Sequence, residues 1–311
     1  HQYIGVQISG FLYYLRNKND YDFVVDQFHG LPFFTPLYAR KPKLALIQET
    51  ARRVWFLNPL PRPINWLIGA TGFLGEPFIF QFYKNIHFMT GSESAKKDVA
   101  KLGGIPKQSI IVVPHGVIVK KSQIANHESR TKTVVYLGVL SRDKGIEDAI
   151  KCFSILDKSS SYNFWVIGRP ETDDYFAGIK NVVRNLGLEK KIKFWGFVSQ
   201  QKKFELLARA HVLVNPSVHE GWGLVNIEAN SVGTPVIAYN VSGSVDSVKD
   251  GVSGVLCRKN TPEEMASTVS EVLANGENYE RLRKGSKEWS KNFSWKRSIK
   301  LSLELIKSIA E

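Results

Sequence analysis

Short apolar runs alternate with helical patterns along the second half of the chain. The runs TVVYLGV (133–139), YNFWVIG (162–168) and HVLVNPS (211–217) are rich in β-branched residues and predict buried strands. Residues 143–158 carry apolar side chains at helical spacing, namely Ile146, Ala149, Ile150, Phe153 and Leu156. Strands that alternate with helices in this way predict a parallel α/β sheet.

The same alternation continues to about residue 290. Another strand is predicted at PVIAYNV (235–241). Further helices follow the helical period over 173–187, 199–208, 261–274 and 277–290. We therefore expect a doubly wound α/β domain over roughly 120–290, in which ligands bind beyond the carboxyl ends of the strands.

Residues 1–118 show the same pattern without an opening strand. Four runs predict strands, at DYDFVVDQF (20–28), KLALIQE (43–49), NIHFMTGS (85–92) and SIIVVP (109–114). A complete doubly wound domain opens with a strand and a phosphate-facing loop, whereas here neither of these precedes the helical segment ISGFLYYLR (8–16). We expect a Rossmann-like domain that lacks its first strands. A last helix over 295–310 carries Ile299, Leu303 and Ile306 on one face.

Net charge is the unusual property of the composition. The 311 residues include 42 Lys and Arg against 29 Asp and Glu, a formal charge of +13. This balance suits phosphorylated ligands, an anionic membrane surface or nucleic acid. The lysines are spread along the chain without a basic run or a nucleic-acid-binding module, so we expect no nucleic acid partner.

The two cysteines, Cys152 and Cys257, form neither a disulfide framework nor a metal-ligand pattern. We therefore expect a reducing, cytoplasmic compartment and no metal site at the cysteines. No signal peptide is visible, and no apolar run reaches the about 18 residues needed to span a bilayer. The chain begins with His1 rather than Met, so we expect an N-terminal portion to be missing.

The segment GATGFLG (69–75) matches the G-x-x-G-x-x-G loop of extended short-chain dehydrogenases. That loop follows a first strand, whereas here it follows the proline-interrupted segment RPINWLI (62–68), which favours a helix start. The Tyr-x-x-x-Lys spacing of such enzymes occurs only upstream, at Tyr14 and Lys18. We interpret the glycines as a structural turn and expect no nicotinamide cofactor.

The segment PSVHEGWGLVNIE (216–228) carries two glutamates, Glu220 and Glu228, eight positions apart. Glu220 follows the carboxyl end of a predicted strand, and a helix begins near Gly223 or Leu224. Gly221 and Gly223 leave backbone N–H groups accessible there, and a helix N-terminus favours a phosphate. Carboxylates repel phosphate, so the two glutamates suit hydroxyl groups on either side of it. The arrangement predicts a sugar nucleotide, although solvated glutamates on an exposed helix are the simpler alternative.

This segment resembles the E-x7-E signature of glycosyltransferase family 4, among the glycosyl transferases of group 1, which are retaining enzymes of GT-B fold. Similar segments follow in the family's order, namely DQFHGLPFFTPLY (26–38), YLGVLSRDKG (136–145), FWGFVSQQKKFELLARA (194–210) and residues 214–256. The resemblance implies two doubly wound Rossmann-like domains facing a cleft. Residues 1–118 form the acceptor side, 119–292 bind the nucleotide sugar, and 293–311 form a helix that packs back toward the first domain.

The resemblance also implies a reaction. A hexose (mannose, glucose or N-acetylglucosamine) moves from a nucleoside diphosphate sugar with retention and without a cofactor. Glu220 holds the sugar near the reacting carbon, Lys144 neutralises the diphosphate leaving group, and Glu228 binds the ribose hydroxyls. The remaining donor-binding residues are Gly221, Trp222, Gly223 and Leu224, which cradle sugar and diphosphate, and Val198, whose backbone meets the nucleobase.

The chain departs from the family pattern at two positions. Family members usually have an arginine after Gly138, where this chain has Val139; either Arg142 reaches the same phosphate or the site has one cation. Gln48 stands where the family commonly has a histidine on the acceptor side, and it cannot titrate. His29 resembles a family histidine facing the cleft and is a second candidate for that side.

The acceptor half is rich in aromatic residues between Val54 and Phe88. Interior packing explains such residues most simply, but with the positive charge they also allow a membrane-surface acceptor face. The expected partners are a nucleotide sugar, a saccharide or lipid-linked acceptor, and peripherally the cytoplasmic membrane face. Two alternatives stay open: a non-catalytic or truncated nucleotide-sugar-binding protein, and a glycoside hydrolase with its two carboxyls ~5 Å apart.

Overall fold

A computed structural model of the protein describes residues 2–28, 30–58, 60–118, 132–157 and 161–311. Its contacts separate two compact units, one formed by 1–116 with 295–311 and the other by 117–294. Each unit is built on its own parallel sheet. The unit boundaries lie two residues from the expected domain boundaries.

The first unit contains a four-stranded parallel sheet whose strands lie in chain order. The strands are β1 (Val24–Gln27), β2 (Lys43–Leu46), β3 (His87–Thr90) and β4 (Ile110–Val112). Three helices accompany them, α1 (Gln2–Asn17), α2 (Ile64–Gln81) and α3 (Glu93–Gly103). The four strands predicted for this half are confirmed, and Phe80, Tyr83 and Phe88 are buried in the core that they form.

The glycine segment GATGFLG lies inside helix α2, so its interpretation as a turn is wrong. A Cβ on Gly69 would lie 2.4 Å from the Phe56 ring, and a Cβ on Gly72 would lie 2.3 Å from the Trp55 ring. Larger side chains would displace these rings, which belong to the 3₁₀ segment before the helix. The glycines therefore allow close packing of a helix, a tertiary requirement that a local pattern does not show.

The aromatic residues between Val54 and Phe88 divide between core and surface. The buried ones are Phe80, Tyr83 and Phe88. The exposed ones are Trp66, Phe78 and Phe82. Interior packing therefore accounts for only part of this set, and α2 presents an apolar outer face.

The second unit contains a six-stranded, all-parallel sheet in the order β10-β9-β8-β5-β6-β7. The strands are β5 (Thr133–Leu137), β6 (Asn163–Ile167), β7 (Ile192–Gly196), β8 (Val212–Asn215), β9 (Val236–Ala238) and β10 (Gly254–Leu256). The helices are α4 (Ile146–Asp157), α5 (Asp173–Asn185), α6 (Gln200–Arg209), α7 (Leu224–Ser231), α8 (Ser244–Ser247), α9 (Pro262–Ala274) and α10 (Gly276–Ser290). This order confirms the doubly wound prediction.

The strand order reverses between β5 and β8. From β5 the chain proceeds to β6 and β7 on one side, and from β8 to β9 and β10 on the other. Both central strands are buried on their two faces, which explains their continuous apolar sequences. The loops that follow β5 and β8 therefore meet at the switch point, where such sheets bind ligands.

Helix α4 begins at Ile146, three residues later than the pattern predicted. Gly145 has φ +70°, and a Cβ there would lie 2.1 Å from the carbonyl oxygen of Pro216. Because a side chain at this position would clash with backbone, the chain turns sharply before the helix. Lys144 consequently lies in a loop at the switch point rather than on a helix.

The last helix, α11 (Trp295–Ala310), belongs to the first unit. Ser298 and Leu305 are buried on its packed side, and Ser298 Oγ donates a hydrogen bond to the Pro114 carbonyl oxygen. Ile299 and Leu303 are exposed by 55% and 52%. The apolar face that the sequence indicated is thus not the side that packs, because periodicity does not identify what covers a face.

Candidate functional site

Two loops of the second unit converge at the switch point. The lysine loop (138–145) follows β5, and the glutamate loop (216–223) follows β8. The Val218 N–H donates to the Asp143 carbonyl oxygen at 2.8 Å, which joins the two loops directly. Lys144 and Glu220 are therefore brought to one edge of one sheet.

Lys144 and Glu220 are in contact across the two loops. Lys144 Nζ lies 3.3 Å from Glu220 Oε2 and 3.9 Å from Asp143 Oδ2. Ser217 Oγ donates to Glu220 Oε1 at 2.7 Å, so both oxygens of that carboxylate have partners. The two side chains are 25% and 14% exposed, which leaves a cation and a carboxylate accessible side by side.

A buried tyrosine holds the lysine loop through hydrogen bonds to its backbone. The Tyr136 hydroxyl donates to the carbonyl oxygen of Val139 at 2.8 Å and lies 3.3 Å from that of Lys144. Burial, followed by the charges of Glu220 and Asp143, raises the pKa of Tyr136 far above its usual range, so the hydroxyl stays a donor. The loop backbone that carries Lys144 is thereby held in place.

The glutamate loop ends at the N-terminus of α7. Gly221, Trp222 and Gly223 are buried, and Leu224 is the first helical residue, as predicted. Gly223 has φ +74° and precedes the helix without a side-chain cap. The first N–H groups of a helix have no partner within it, so this terminus suits an anion.

A buried amide links the glutamate loop to the next connection of the sheet. Asn215 Nδ2 donates to Asn226 Oδ1 at 2.9 Å, and Asn226 Nδ2 donates to Ser247 Oγ at 2.9 Å. Ser247 Oγ in turn donates to the Gly243 carbonyl oxygen at 2.9 Å. All these side chains are at least 95% buried, so their hydrogen bonds fix β8, α7 and α8 together.

Glycine 243 allows the backbone of Glu220 to approach closely. Its φ is +76°, and a Cβ there would lie 2.3 Å from the Glu220 carbonyl oxygen. The Glu220 N–H also donates to the Ser242 carbonyl oxygen at 3.2 Å. The segment before α8 therefore packs against the backbone of Glu220 and holds it in place.

Glu228 lies in the second turn of α7 and is 8% exposed. Its Oε1 is 2.5 Å from Nζ of Lys203 on α6. Burial raises the pKa of Glu228, and the charge and hydrogen bond of Lys203 lower it. The second glutamate is thus also a carboxylate with a cationic partner, and its side chain is 11% exposed, against 14% for Glu220.

The other predicted residues have different surroundings. Arg142 is exposed, and its charge acts on Glu171 and Tyr175. Val198 is partly buried against the core beside α6. In the first unit, Gln48 is partly buried and its Oε1 has no hydrogen-bond partner among the described residues. His29 lies outside the described residues.

Several site residues were not anticipated from the sequence. They are Tyr136, Ser217, Asn226, Gly243 and Lys203. Asn226 lies between the two glutamates and Gly243 lies in the small-residue segment VSGS, so both had a local signal. Lys203 is 25 residues from Glu228 and on another helix, and nothing in its own segment marks it.

The ranges that the structure describes contain no group of three or more His, Cys, Asp or Glu side chains able to hold a metal ion. None of the helices in those ranges is long and apolar enough to cross a membrane. Both cysteines are free and buried.

The sequence of the second unit matches a known family model. The model, described as "Glycosyl transferases group 1", matches residues 118–289, more than half of the chain. The chain belongs to the glycosyl transferases of group 1. An uncharacterized glycosyltransferase of Methanocaldococcus jannaschii is 25% identical to it over 243 residues, which are 74% of this chain and 62% of that relative. The chain thus spans about three fifths of this relative's length.

Solved structures show the fold of this family member. Anabaena HepE in complex with UDP and glucose has a TM-score of 0.72 at 17% identity, over 95% of this chain and 79% of HepE. Sucrose-phosphate synthase of Thermosynechococcus elongatus has a TM-score of 0.79 at 18% identity, over 98% of this chain and 77% of the synthase. The chain therefore has a GT-B fold with two parallel-sheet α/β domains, as predicted.

Proposed function

We propose that this protein transfers a hexose from a nucleoside diphosphate sugar to a saccharide or lipid-linked acceptor, with retention and without a metal ion, as a member of family 4. The contact between Lys144 Nζ and Glu220 Oε2 carries the proposal. It provides a cation for the leaving diphosphate and an acceptor for sugar hydroxyls at the switch point of the sheet. Family membership and the complex of HepE with UDP and glucose support this donor class.

Each group has a defined task in the proposed reaction. Lys144 stabilises the negative charge that develops on the diphosphate as the glycosidic bond breaks. Glu220 holds the sugar hydroxyls near the reacting carbon, and Glu228 binds the ribose. Gly221, Trp222, Gly223 and Leu224 contribute the backbone around sugar and diphosphate. The donor's own phosphate oxygen receives the acceptor proton on the same face, which accounts for retention without a protein base.

Three further assignments belong to the proposal. Val198 meets the nucleobase through its backbone, and Arg142 supplements Lys144 at the phosphate. Gln48 and His29 lie on the acceptor side. For Arg142, the charge of Glu171 competes with the phosphate, so we assign the larger share of diphosphate binding to Lys144.

The surface of helix α2 supports a membrane-bound acceptor. Its outer face exposes large apolar side chains, namely Ile64, Trp66, Leu67, Leu74 and Phe78. The exposed cations Arg53, Arg62 and Lys84 flank the helix. Apolar side chains beside cations suit the interface of an anionic bilayer. We therefore propose peripheral contact with the cytoplasmic face of a membrane, and the two free, buried cysteines fit that reducing compartment.

The surroundings of Glu228 favour binding over hydrolysis. A retaining hydrolase needs two carboxyls about 5 Å apart on either side of the glycosidic bond. Glu228 is largely buried and is paired with Lys203, whereas Glu220 is paired with Lys144. A carboxylate that is paired with a lysine is better suited to accept a hydrogen bond from a hydroxyl group than to act as a nucleophile.

Product analysis tests the proposal. The chain is incubated with UDP-, GDP- and ADP-hexoses and simple glycoside acceptors, and proton NMR follows nucleoside diphosphate release and the anomeric configuration of the product. We expect release with one nucleotide class and a product anomer equal to that of the donor. Lys144→Met removes the release, and Lys151→Met, at an exposed position of α4, retains it. Binding without release would favour the non-catalytic alternative, and an inverted anomer would contradict retention.

A further inference from the structure

Lys203 and Glu228 form an ion pair that is nearly closed to solvent. Their side chains are 15% and 11% exposed, and Nζ lies 2.5 Å from Oε1. Lys203 comes from the first part of α6 and reaches the second turn of α7. The pair thus belongs to the residues proposed for the donor site, but it lies on helices α6 and α7 rather than in the two loops that carry Lys144 and Glu220.

Among the described residues, the other charged side chains near Glu228 have different partners or do not affect its pKa. Lys203 is therefore the cationic partner of this carboxylate. On α6, Lys202 and Arg209 both pair with Glu205, at 2.8 Å and 3.6 Å. The other helices against α7 carry Asp246 on α8 and Lys287 on α10, and neither contributes to the shifted pKa of Glu228. The protonation of Glu228 therefore depends on burial and on Lys203.

One oxygen of Glu228 remains for a ligand. Lys203 occupies Oε1, and among the described residues no hydrogen bond reaches Oε2. An ionised carboxylate accepts hydrogen bonds from two vicinal hydroxyl groups, and such charge-assisted bonds are about twice as strong as neutral ones. A protonated carboxyl loses that charge and one acceptor site.

We propose that Lys203 is a positioning residue for nucleotide recognition, whose ammonium keeps the Glu228 carboxylate ionised and oriented so that Oε2 binds the vicinal hydroxyls of a ribose. The inference rests on the proposed function, since the ribose is that of the donor nucleotide. It adds a selectivity: the protein prefers ribonucleoside over 2′-deoxyribonucleoside diphosphates, and this preference depends on Lys203 through charge.

The binding test measures dissociation constants of a ribonucleoside diphosphate and its 2′-deoxy counterpart between pH 5.5 and 9. The variants are Lys203→Met, Lys203→Arg and the adjacent surface control Lys202→Met. In the parent, Lys203→Arg and the control, the preference for ribose changes less with pH than in Lys203→Met. In Lys203→Met it is about tenfold smaller at low pH and recovers as pH rises, because burial without the cation raises the pKa of Glu228 further.

Two binding results overturn the inference. In one, Lys203→Met retains the parental preference at every pH. In the other, the preference falls equally at all pH values and arginine does not restore it, which indicates a role in packing alone.

A second measurement needs no ligand. The free energy of unfolding is compared between Lys203→Met and Lys203→Met with Glu228→Gln. A carboxyl with a raised folded-state pKa stabilises most below its unfolded pKa, and this stability is lost as pH rises through the folded pKa. We expect Lys203→Met to lose stability from acidic to neutral pH relative to the double variant. Parallel pH profiles would show that Lys203 does not control the charge of Glu228.

The two measurements distinguish a failure of the proposed function from a failure of the role inferred for Lys203. If the parent binds no nucleoside diphosphate, the proposed function and the ribose assignment fall together. The unfolding profiles then still decide whether Lys203 holds Glu228 ionised.

Discussion

Lys144 Nζ lies 3.3 Å from Glu220 Oε2, so the proposed phosphate ligand and the proposed sugar ligand are paired with each other in this structure. A diphosphate that binds Lys144 must compete with this carboxylate. The same contact that assembles the site therefore opposes the first step of donor binding, and substitutions of the two partners have opposite effects on affinity.

Glu220→Gln is expected to tighten binding of the free nucleoside diphosphate while abolishing sugar transfer. Removing the negative charge takes away one competitor of the diphosphate for Lys144, and a partly buried ion pair is worth about 0.5–1 kcal/mol, which corresponds to roughly twofold to fivefold in affinity. Isothermal titration calorimetry and a transfer assay on the same preparation measure both effects. Weaker diphosphate binding by Glu220→Gln would show that the carboxylate does not compete for the lysine.

Gly243→Ala is expected to destabilise the second unit and to displace Glu220. The new Cβ would lie 2.3 Å from the Glu220 carbonyl oxygen, in addition to the strain at φ +76°, and we expect a loss of about 2–4 kcal/mol. Gly251→Ala is the matched control, because Gly251 has φ +68° and nothing within 4 Å of its Cβ position. It should lose only about 1–2 kcal/mol. Equal losses in denaturant unfolding would mean that the close approach to Glu220 is unimportant.

The two cysteines are expected to be unreactive in the folded protein. Burial raises the pKa of Cys152 above its usual range and that of Cys257 to about 12, with Glu264 adding to the latter. At pH 8 both remain protonated thiols, and the thiolate is the nucleophile. Titration with an aromatic disulfide should show slow reaction in buffer and rapid reaction of two thiols in denaturant. Fast labelling of either residue in buffer would contradict its burial.

Leu74→Glu combined with Phe78→Glu is expected to weaken binding to anionic vesicles. Both side chains are exposed on α2, by 66% and 71%, and burying each apolar side chain at an interface is worth about 1.5–3 kcal/mol. Co-sedimentation with vesicles of anionic and neutral lipid measures the change. Leu186→Glu, at a 43% exposed position of the second unit, controls for the added charge. Unchanged sedimentation of the double variant would remove α2 from the membrane proposal.

The sequence was sufficient for the architecture and for the two central site residues. Continuous apolar runs marked β5 and β8, because strands buried on both faces need them. Glu220 was located by its glycines and by the strand before it. Lys144 came from the resemblance, and the structure brings it to Glu220 although 76 positions separate them, as residue numbers 144 and 220 show.

The features that the sequence does not predict depend on contacts between segments that are distant along the chain. The pattern predicts a turn at Gly69 and Gly72 because it contains no information on the Phe56 and Trp55 rings that pack against them. Gly145 delays helix α4 because of a backbone contact made 71 positions later, with Pro216. The pairing of Lys203 with Glu228 has the same origin, since two separate helices bring it about. Close contacts between distant segments leave no periodic signal in either one.

The central claim is that Lys144 binds the diphosphate of the donor. The measurement is calorimetric affinity for a nucleoside monophosphate and diphosphate of the same base, in the parent and in Lys144→Ala. One charge-assisted contact is worth about 1.5–3 kcal/mol, so the parent should prefer the diphosphate by roughly tenfold to a hundredfold, and Lys144→Ala should bind both nucleotides about equally. An undiminished preference for the diphosphate in Lys144→Ala would contradict the account.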